Sequence, residues 1–472
     1  MKIYKLSALF IAAALTACGG SGGGGDSTAG IDAGGSPVFA FARGTITGFG
    51  SVIVNGVHYD TSGATISIDG TAGSESDLAV GQVVTIRGTI DDNGTTGDAA
   101  EISFEDLVEA PIESIDLAAG SFVALGQTVL VTADTTFEAG IVPAGIDGLG
   151  VGDVVEVSGF LDANGNIVAT FIELEDRFDE FEVTGLVQNL DTGASTFEVN
   201  ALTVDYSAAM LEDFPGGAPE NGQLVEAKGV ALGANGELLA TRVEFKDGED
   251  FANGDNVEIE GFITRFDSAS DFDVDGVAVS ANGTTVYENG SAADLALNRK
   301  VEVEGRVNAS GILVAEKIEF KLAGTLRVEG LVDDVATDSL TVFGIDILVT
   351  PTTELDDKSS MDIRNFDLSD VNVGDYVEIR AFDDGSALVA TRLERDDFDG
   401  KVAVRGFVES VSDPEFAILG VTIRTNAGTE FQDNDLPISA SSFFGQALGR
   451  LVDAEGSLDN GSILADKAEL EN

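Results

Sequence analysis

One eight-residue pattern recurs six times along this chain, and it dictates the architecture more than any other feature. The pattern is glycine, two residues, an apolar residue, an acid or threonine, an apolar residue, one residue and glycine. It reads "GQVVTIRG" ending at Gly88, "GDVVEVSG" at Gly159 and "GQLVEAKG" at Gly229, then "NRKVEVEG" at Gly305, "GDYVEIRA" at Ala381 and "GRLVDAEG" at Gly456. Each recurrence comes 70 to 76 residues after the last. A period of that length is one small domain, whereas the turns of a β-solenoid repeat every 20–30 residues or so.

Two further signals keep the same phase. A glycine-bearing turn follows each copy: Asn93-Gly94, Asn164-Gly165, Asn235-Gly236, Ser310-Gly311, Asp384-Gly385 and Asn460-Gly461. Asn-Gly suits the two positive φ angles of a type I′ hairpin turn. Next comes alanine, two residues and an apolar residue, as in "AAEISF", "ATFIEL", "ATRVEF" and "AEKIEF". The three-residue step from alanine breaks strict alternation and predicts a bulge at the start of that strand. Five repeats open on an apolar-x-glycine run: "ITGFG", "VTGLV", "IEGFI", "VEGLV" and "VRGFV"; the second has "IESID" and no glycine. Two more alternating runs lie between, such as "FEVNALTVDY".

The expected fold is therefore all-β: a tandem array of six small five-stranded OB-like β-barrels. Five strands with about one helical turn between the third and fourth ("SDLAVG", "AADLALN", "SDVNVG") fit an OB-type Greek-key barrel. Small β-sandwiches are the alternative. The repeats are placed at 42–107, 111–176, 181–247, 256–322, 325–396 and 401–472. A core of this size is marginal alone, so neighbouring repeats are expected to support one another. The short junctions hold Phe178, Phe251 and Phe398 among acids, and these rings are expected to wedge between barrels.

The N-terminus reads "MKIYKLSALFIAAALTACGG". Lys2 and Lys5 precede an uncharged run from Leu6 to Ala17, too short to span a bilayer but suited to a signal peptide over residues 1–17. The run ends in Leu15-Thr16-Ala17-Cys18, which resembles the bacterial lipobox. That resemblance implies lipid attachment at Cys18, making the membrane a partner through the N-terminal lipid. The same resemblance implies delivery to the outer membrane, because Gly19 and not aspartate follows the cysteine. Residues 18–41 read as a flexible glycine-serine tether. The repeat signatures, with this leader, also resemble a bacterial lipoprotein repeat family known only as a domain of unknown function, numbered 5666. It has no activity to carry over.

Chemistry is sparse. Acids number 83 against 25 basic residues, a net charge of −58 that repels nucleic acid. With one cysteine and one histidine, zinc sites built from Cys and His are excluded. His58 lies in a strand, "VNGVHYD", and reads as packing or surface. Asp271 to Gly276, "DFDVDG", begins like a calcium-binding EF-hand loop, but the twelfth position is Asn282 where a bidentate glutamate is needed. In the repeat frame it falls at a β-hairpin, with Asp275-Gly276 at the turn.

No catalytic residue, metal ligand or cofactor is assigned. The expected function is a lipid-anchored cell-envelope repeat protein with a non-enzymatic binding or spacer role, a rod of barrels meeting a cell-surface polymer or protein. A calcium-dependent surface adhesin, using Asp176, Asp179 and Glu180 or Asp396, Asp397 and Asp399, is the alternative. A carbohydrate-active enzyme with paired carboxylates is the minor one.

Overall fold

In the computed structural model, residues 38–91, 93–175, 177–246, 251–434 and 436–471 are described. Cys18 and the tether up to residue 37 lie outside them. The first strand runs Val38–Gly48, so residues 38–41 belong to repeat 1. Phe41 is already core, with 2% of its surface exposed.

Repeat 4 shows how each repeat closes. Its first strand is Asn256–Ser268, its second and third are Asp271–Val274 and Val277–Ser280, and its fourth and fifth are Lys300–Val307 and Leu313–Phe320. The first strand pairs antiparallel with the fourth and, past Gly261, with the second. The third pairs parallel with the fifth, and the fifth antiparallel with the fourth. The ring is closed, in the order 1-2-3-5-4, as in an OB-type barrel. Repeats 1, 2, 5 and 6 close identically. Repeat 3 follows the same path in two sheets. A 3₁₀ turn precedes the fourth strand at Glu75–Asp77, Ile146–Gly148, Ala292–Asp294 and Leu368–Asp370, and a short α-helix, Ala440–Gln446, does so in repeat 6.

The predicted bulge is present. Gly305 faces Ala315 while Glu304 faces Lys317, which leaves Glu316 as the extra residue. The same shift singles out Ala100, Thr170, Thr391 and Asp466. The glycine that ends five of the six eight-residue patterns is explained by this geometry, while repeat 5 accommodates Ala381 in the same register. A Cβ on Gly88, Gly159, Gly305 or Gly456 would overlap the backbone carbonyl just before the facing alanine.

The opening glycine has its own cause, which corrects the alignment of two repeats. Gly261 lies opposite Val301, and in repeat 1 the residue in that register is Gly44, opposite Val84, not Gly48 of "ITGFG". In repeat 2 it is Ala110, opposite Val155, so the motif there is "VEAPI". This position clears space for the first residue of the tight turn between strands two and three. A Cβ on Gly44, Gly261 or Gly330 would strike Asn55, Asp275 or Phe343.

Turn type also departs from expectation. Type I′ geometry, with both φ angles positive, belongs to the inner hairpins, at Asn55-Gly56, Leu125-Gly126, Asp275-Gly276, Phe343-Gly344 and Leu419-Gly420. At the closing hairpins the chain does turn where predicted, but only Asn460-Gly461 has both angles positive; in the other five the glycine alone does.

The repeats are not six separate domains on a rod. Ala40–Arg43 of repeat 1 pairs parallel with Asn256–Ile259 of repeat 4. Repeats 2 and 3 join through Val108 and Val183, and repeats 5 and 6 through Val328 and Val404. Cores are continuous across the 2/3 and 5/6 pairs, so neighbours do support one another. Of the three junction rings, only Phe251 sits between barrels, edge-on to Phe41 with centroids 5.0 Å apart. Phe178 packs on nearby Phe181, and Phe398 stays 47% exposed against Tyr376 of the preceding repeat.

Candidate functional site

Strand alternation turns every second residue of "VEVEG" away from its own barrel. In an isolated repeat those glutamates would meet water. Here they meet other repeats. In repeat 4, Glu258, Glu260 and Glu302 are all buried. Glu260 accepts a hydrogen bond from the Thr45 amide of repeat 1 at 2.9 Å and pairs with Lys300 at 2.6 Å. Burial opposes its charge, but Lys300 and Lys321 prevail and hold its carboxyl at about 2. Glu302 pairs with Lys321 at 2.6 Å. Lys300 also lies over the Phe160 ring of repeat 2, 5.0 Å from its centroid. At Glu258 the pull of Lys321 is outweighed, and burial, then Glu302 and Glu304, raise its carboxyl well above the usual range.

Over this floor, repeats 1, 2, 4 and 5 enclose a cleft of about 1140 Å³. Repeat 1 lends Thr45 and Asn55, repeat 2 Asp134, Phe160 and Thr170, and repeat 5 Glu354, Phe382, Thr391 and Arg392. Repeats 2 and 5 are locked together beside it. Asp134 accepts from the Gly324 amide at 2.9 Å and from the Thr391 hydroxyl at 3.0 Å, while Arg392 donates to the Thr135 carbonyl at 2.9 Å. The bulges matter here. Thr170, Glu316 and Thr391, the extra residues of three different repeats, all line the same cleft. A bulge re-aims a side chain, and bulges gather beside sites for that reason.

Several polar groups in the cleft are unspent. The hydroxyls of Thr45 and Thr170 are shielded from solvent and have no hydrogen-bond partner, in residues only 3% and 7% exposed. Oε2 of Glu354 is in the same condition. Burial pushes the Glu354 carboxyl up to about 8 despite Arg392 and Lys300 nearby, so it is largely protonated at neutral pH.

The residues singled out in the sequence lie elsewhere. His58 is exposed on the strand Val57–Asp60. Asp271–Val274 and Val277–Ser280 form the predicted hairpin, and its acids face arginines: Asp271 and Asp273 pair with Arg265 at 2.7 Å, and Asp275 with Arg43 at 2.6 Å. At the junctions, Asp397 accepts from the amide and hydroxyl of Ser360, Asp399 from the Lys401 amide, and Glu180 from Thr241. Asp176 lies outside the described residues. Carboxylates so engaged are loop caps, and their response to cations should be one of ionic strength. Melting in calcium should match melting in magnesium or sodium chloride at equal ionic strength. A gain peculiar to calcium, abolished by Asp397→Asn, would restore the adhesin reading.

Sequence reasoning missed the cleft and one recurring device beside it. Thr135, Thr285, Thr353 and Thr429 each donate to the carbonyl of the alanine that begins the bulge, at 2.7–2.8 Å. Each also accepts from the amide three residues before it. A threonine in phase after the third strand, in "ADTTF", "NGTTV", "TPTTE" and "NAGTE", was the available signal.

Six repeats on one five-stranded barrel path, five of them closed, joined in pairs through their first strands, define a tandem OB-type repeat protein. The model of one family, "Domain of unknown function (DUF5666)", matches residues 43–103, 109–173, 184–244, 260–319, 329–394 and 405–469, and the chain belongs to that family. No curated protein matches the sequence.

Proposed function

We propose that this chain is a lipid-anchored outer-membrane protein that binds, without transforming it, a cell-envelope ligand in the cleft between repeats 1, 2, 4 and 5. The observation that carries the binding role is the convergence of three bulged residues from three repeats on one cavity. A spacer would gain nothing from shielded hydroxyls left without partners. The anchor rests on the lipobox-like run ending at Cys18. With Cys18→Ser, palmitate labelling is expected to vanish and the protein to leave the membrane fraction. Unchanged labelling of that variant would remove the anchor from the proposal.

One observation favours a hydrolytic reading. A protonated Glu354 and an ionised Glu260 flank one cleft, which is how a glycosidase sets its acid apart from its base. The surroundings of Glu260 weigh against it. One oxygen accepts from the Thr45 amide and the other pairs with Lys300, so the carboxylate is committed to joining repeats 1 and 4 and to its own ion pair.

A further inference from the structure

We propose that the cleft takes an uncharged, hydroxyl-rich glycan segment. This deepens the binding role above and depends on it. The case begins with what is already spent. The floor charges neutralise one another, Glu260 with Lys300 and Glu302 with Lys321, while Arg392 donates to the Thr135 carbonyl and has its charge balanced by Glu394 and Glu378, each 3.6 Å away. Apart from Nε of the charge-balanced Arg392, the unspent hydrogen-bonding capacity is uncharged: the hydroxyls of Thr45 and Thr170 and the protonated carboxyl of Glu354. Such groups match sugar hydroxyls, which both donate and accept. Half-buried Phe262 and Phe382 add apolar surface for the C–H faces of a sugar ring.

Other ligand classes fit less well. An extended peptide binds by adding a strand to an open sheet edge. The strands Asn256–Ser268, Lys300–Val307 and Leu313–Phe320 that line the cleft are each paired on both sides. The cations at the mouth are matched by acids, Arg306 with Glu316 and Lys317 with Glu288 and Glu319, and Glu304 and Asp384 stand exposed beside them, so an anionic polymer meets no net positive surface. The cleft, about 1140 Å³, exceeds the roughly 300–1,000 Å³ of ordinary small-molecule pockets, which suits an oligomer. The site lies between barrels and is assembled only when four repeats meet.

The test uses the full-length chain and titration calorimetry. The probes are neutral hexasaccharides of glucose, galactose, mannose and N-acetylglucosamine in both anomeric linkages, a uronic-acid hexasaccharide, and spermine. At least one neutral hexasaccharide is expected to bind, with an affinity indifferent to added salt. Thr45→Val and Thr170→Val should each weaken it about fivefold, the loss of one hydrogen bond. Neither should lower the melting temperature, because each removes a buried hydroxyl that has no partner in the free protein. Lost affinity at undiminished stability is an outcome that a purely structural threonine would not produce. The proposal is overturned if every neutral hexasaccharide fails at millimolar concentration, if only the uronic acid or spermine binds, or if both variants bind like the parent. Palmitate labelling is read on the same preparations. If labelling holds and no glycan binds, only this inference falls; if glycan binds and labelling fails, the anchor falls and this inference stands.

Discussion

Arg395→Ala should destabilise the chain by about 3–5 kcal/mol, the usual effect of leaving one member of a buried ion pair alone. Arg395 lies on the fifth strand of repeat 5, Leu388–Asp396, in register with Asp357 on the neighbouring strand Glu354–Asp357. Its fork meets both carboxylate oxygens, Nε to Oδ1 at 2.9 Å and Nη2 to Oδ2 at 2.5 Å, and Nη1 donates to the Asp370 carbonyl at 2.9 Å. The guanidinium lies over Phe366, 4.7 Å from the ring centroid. Only 2% of the arginine side chain and none of the aspartate is exposed. Asp357 also accepts from the Ile363 amide, so the pair holds the loop that carries Arg364 onto repeat 1. There Arg364 donates to the Leu78 carbonyl at 3.1 Å and covers the Phe49 ring. Arg395→Lys should recover little, since one ammonium cannot replace a two-pronged fork. The measurement is the thermal midpoint, together with limited proteolysis of residues 357–366. A midpoint within a degree or so of the parent, on a scale where 1 kcal/mol moves that of so long a chain by about 1 °C, would refute the assignment.

Stability should fall as pH rises from about 5 to 9. At the meeting of repeats 2 and 3 a row of acids crosses adjacent strands. Glu156 faces Glu173 on one side and Glu109 on the other, and Glu109 faces Glu182. Burial, then the charge of Glu175 and a hydrogen bond with it, push Glu156 up to about 9. Burial and Glu175 raise Glu109 to about 7, and burial and Glu138 raise Glu173 to about 6. Asp106 close by is raised by burial and Asp69. Lys228 and Lys246 are the cations facing this group, and both are committed to Glu226, with Lys228 also on Glu182.

In the unfolded chain such carboxyls titrate near about 4.3. Above that value the unfolded state has shed protons that the folded state still holds. Each added unit of pH therefore favours unfolding, until the folded values are passed. Glu260 and Asp357 act in the opposite sense. Both are held at about 2, so their contribution is complete above the unfolded value and is lost only as pH falls towards 2. Thermal melts across this range should place the maximum near about pH 5, and Glu156→Gln should raise the midpoint at alkaline pH and leave it unmoved near about pH 4. A flat profile, or one rising to pH 9, would contradict the described burial of this row.

What was legible in the sequence was whatever one repeat settles for itself. Alternating valines and isoleucines, such as Val301 and Val303, can face only one core, and Gly94 or Gly165 marks a chain reversal whatever the partner. Turn type was less legible. Leu125, Phe343 and Leu419 are not turn-forming residues, yet they hold positive φ because they pack against the core. The opening motif of repeat 1 was misaligned because "ITGFG" carries the right letters four residues late, and only the pairing of Gly44 with Val84 separates the two. The cleft was not legible. Glu260, Lys300 and Arg392 sit in alternating patterns indistinguishable from those of a wetted face. Their surroundings are decided by residues 140 to 257 positions away, which no local pattern can encode.

The parallel pairing of Ala40–Arg43 with Asn256–Ile259 also bears on how the chain comes to be folded. Repeats 2 and 3, and later 5 and 6, can join soon after both have been synthesised. Repeat 1 must wait while the ribosome adds 256 − 40 = 216 residues before its outer edge finds a partner. Closing so long a loop is costly in entropy and slow. Until it closes, the first strand keeps an open row of amides and carbonyls that any stray strand could join. The native contact most exposed to a kinetic error is thus the one that brings repeat 4, and with it the floor of the cleft, against the N-terminal barrel.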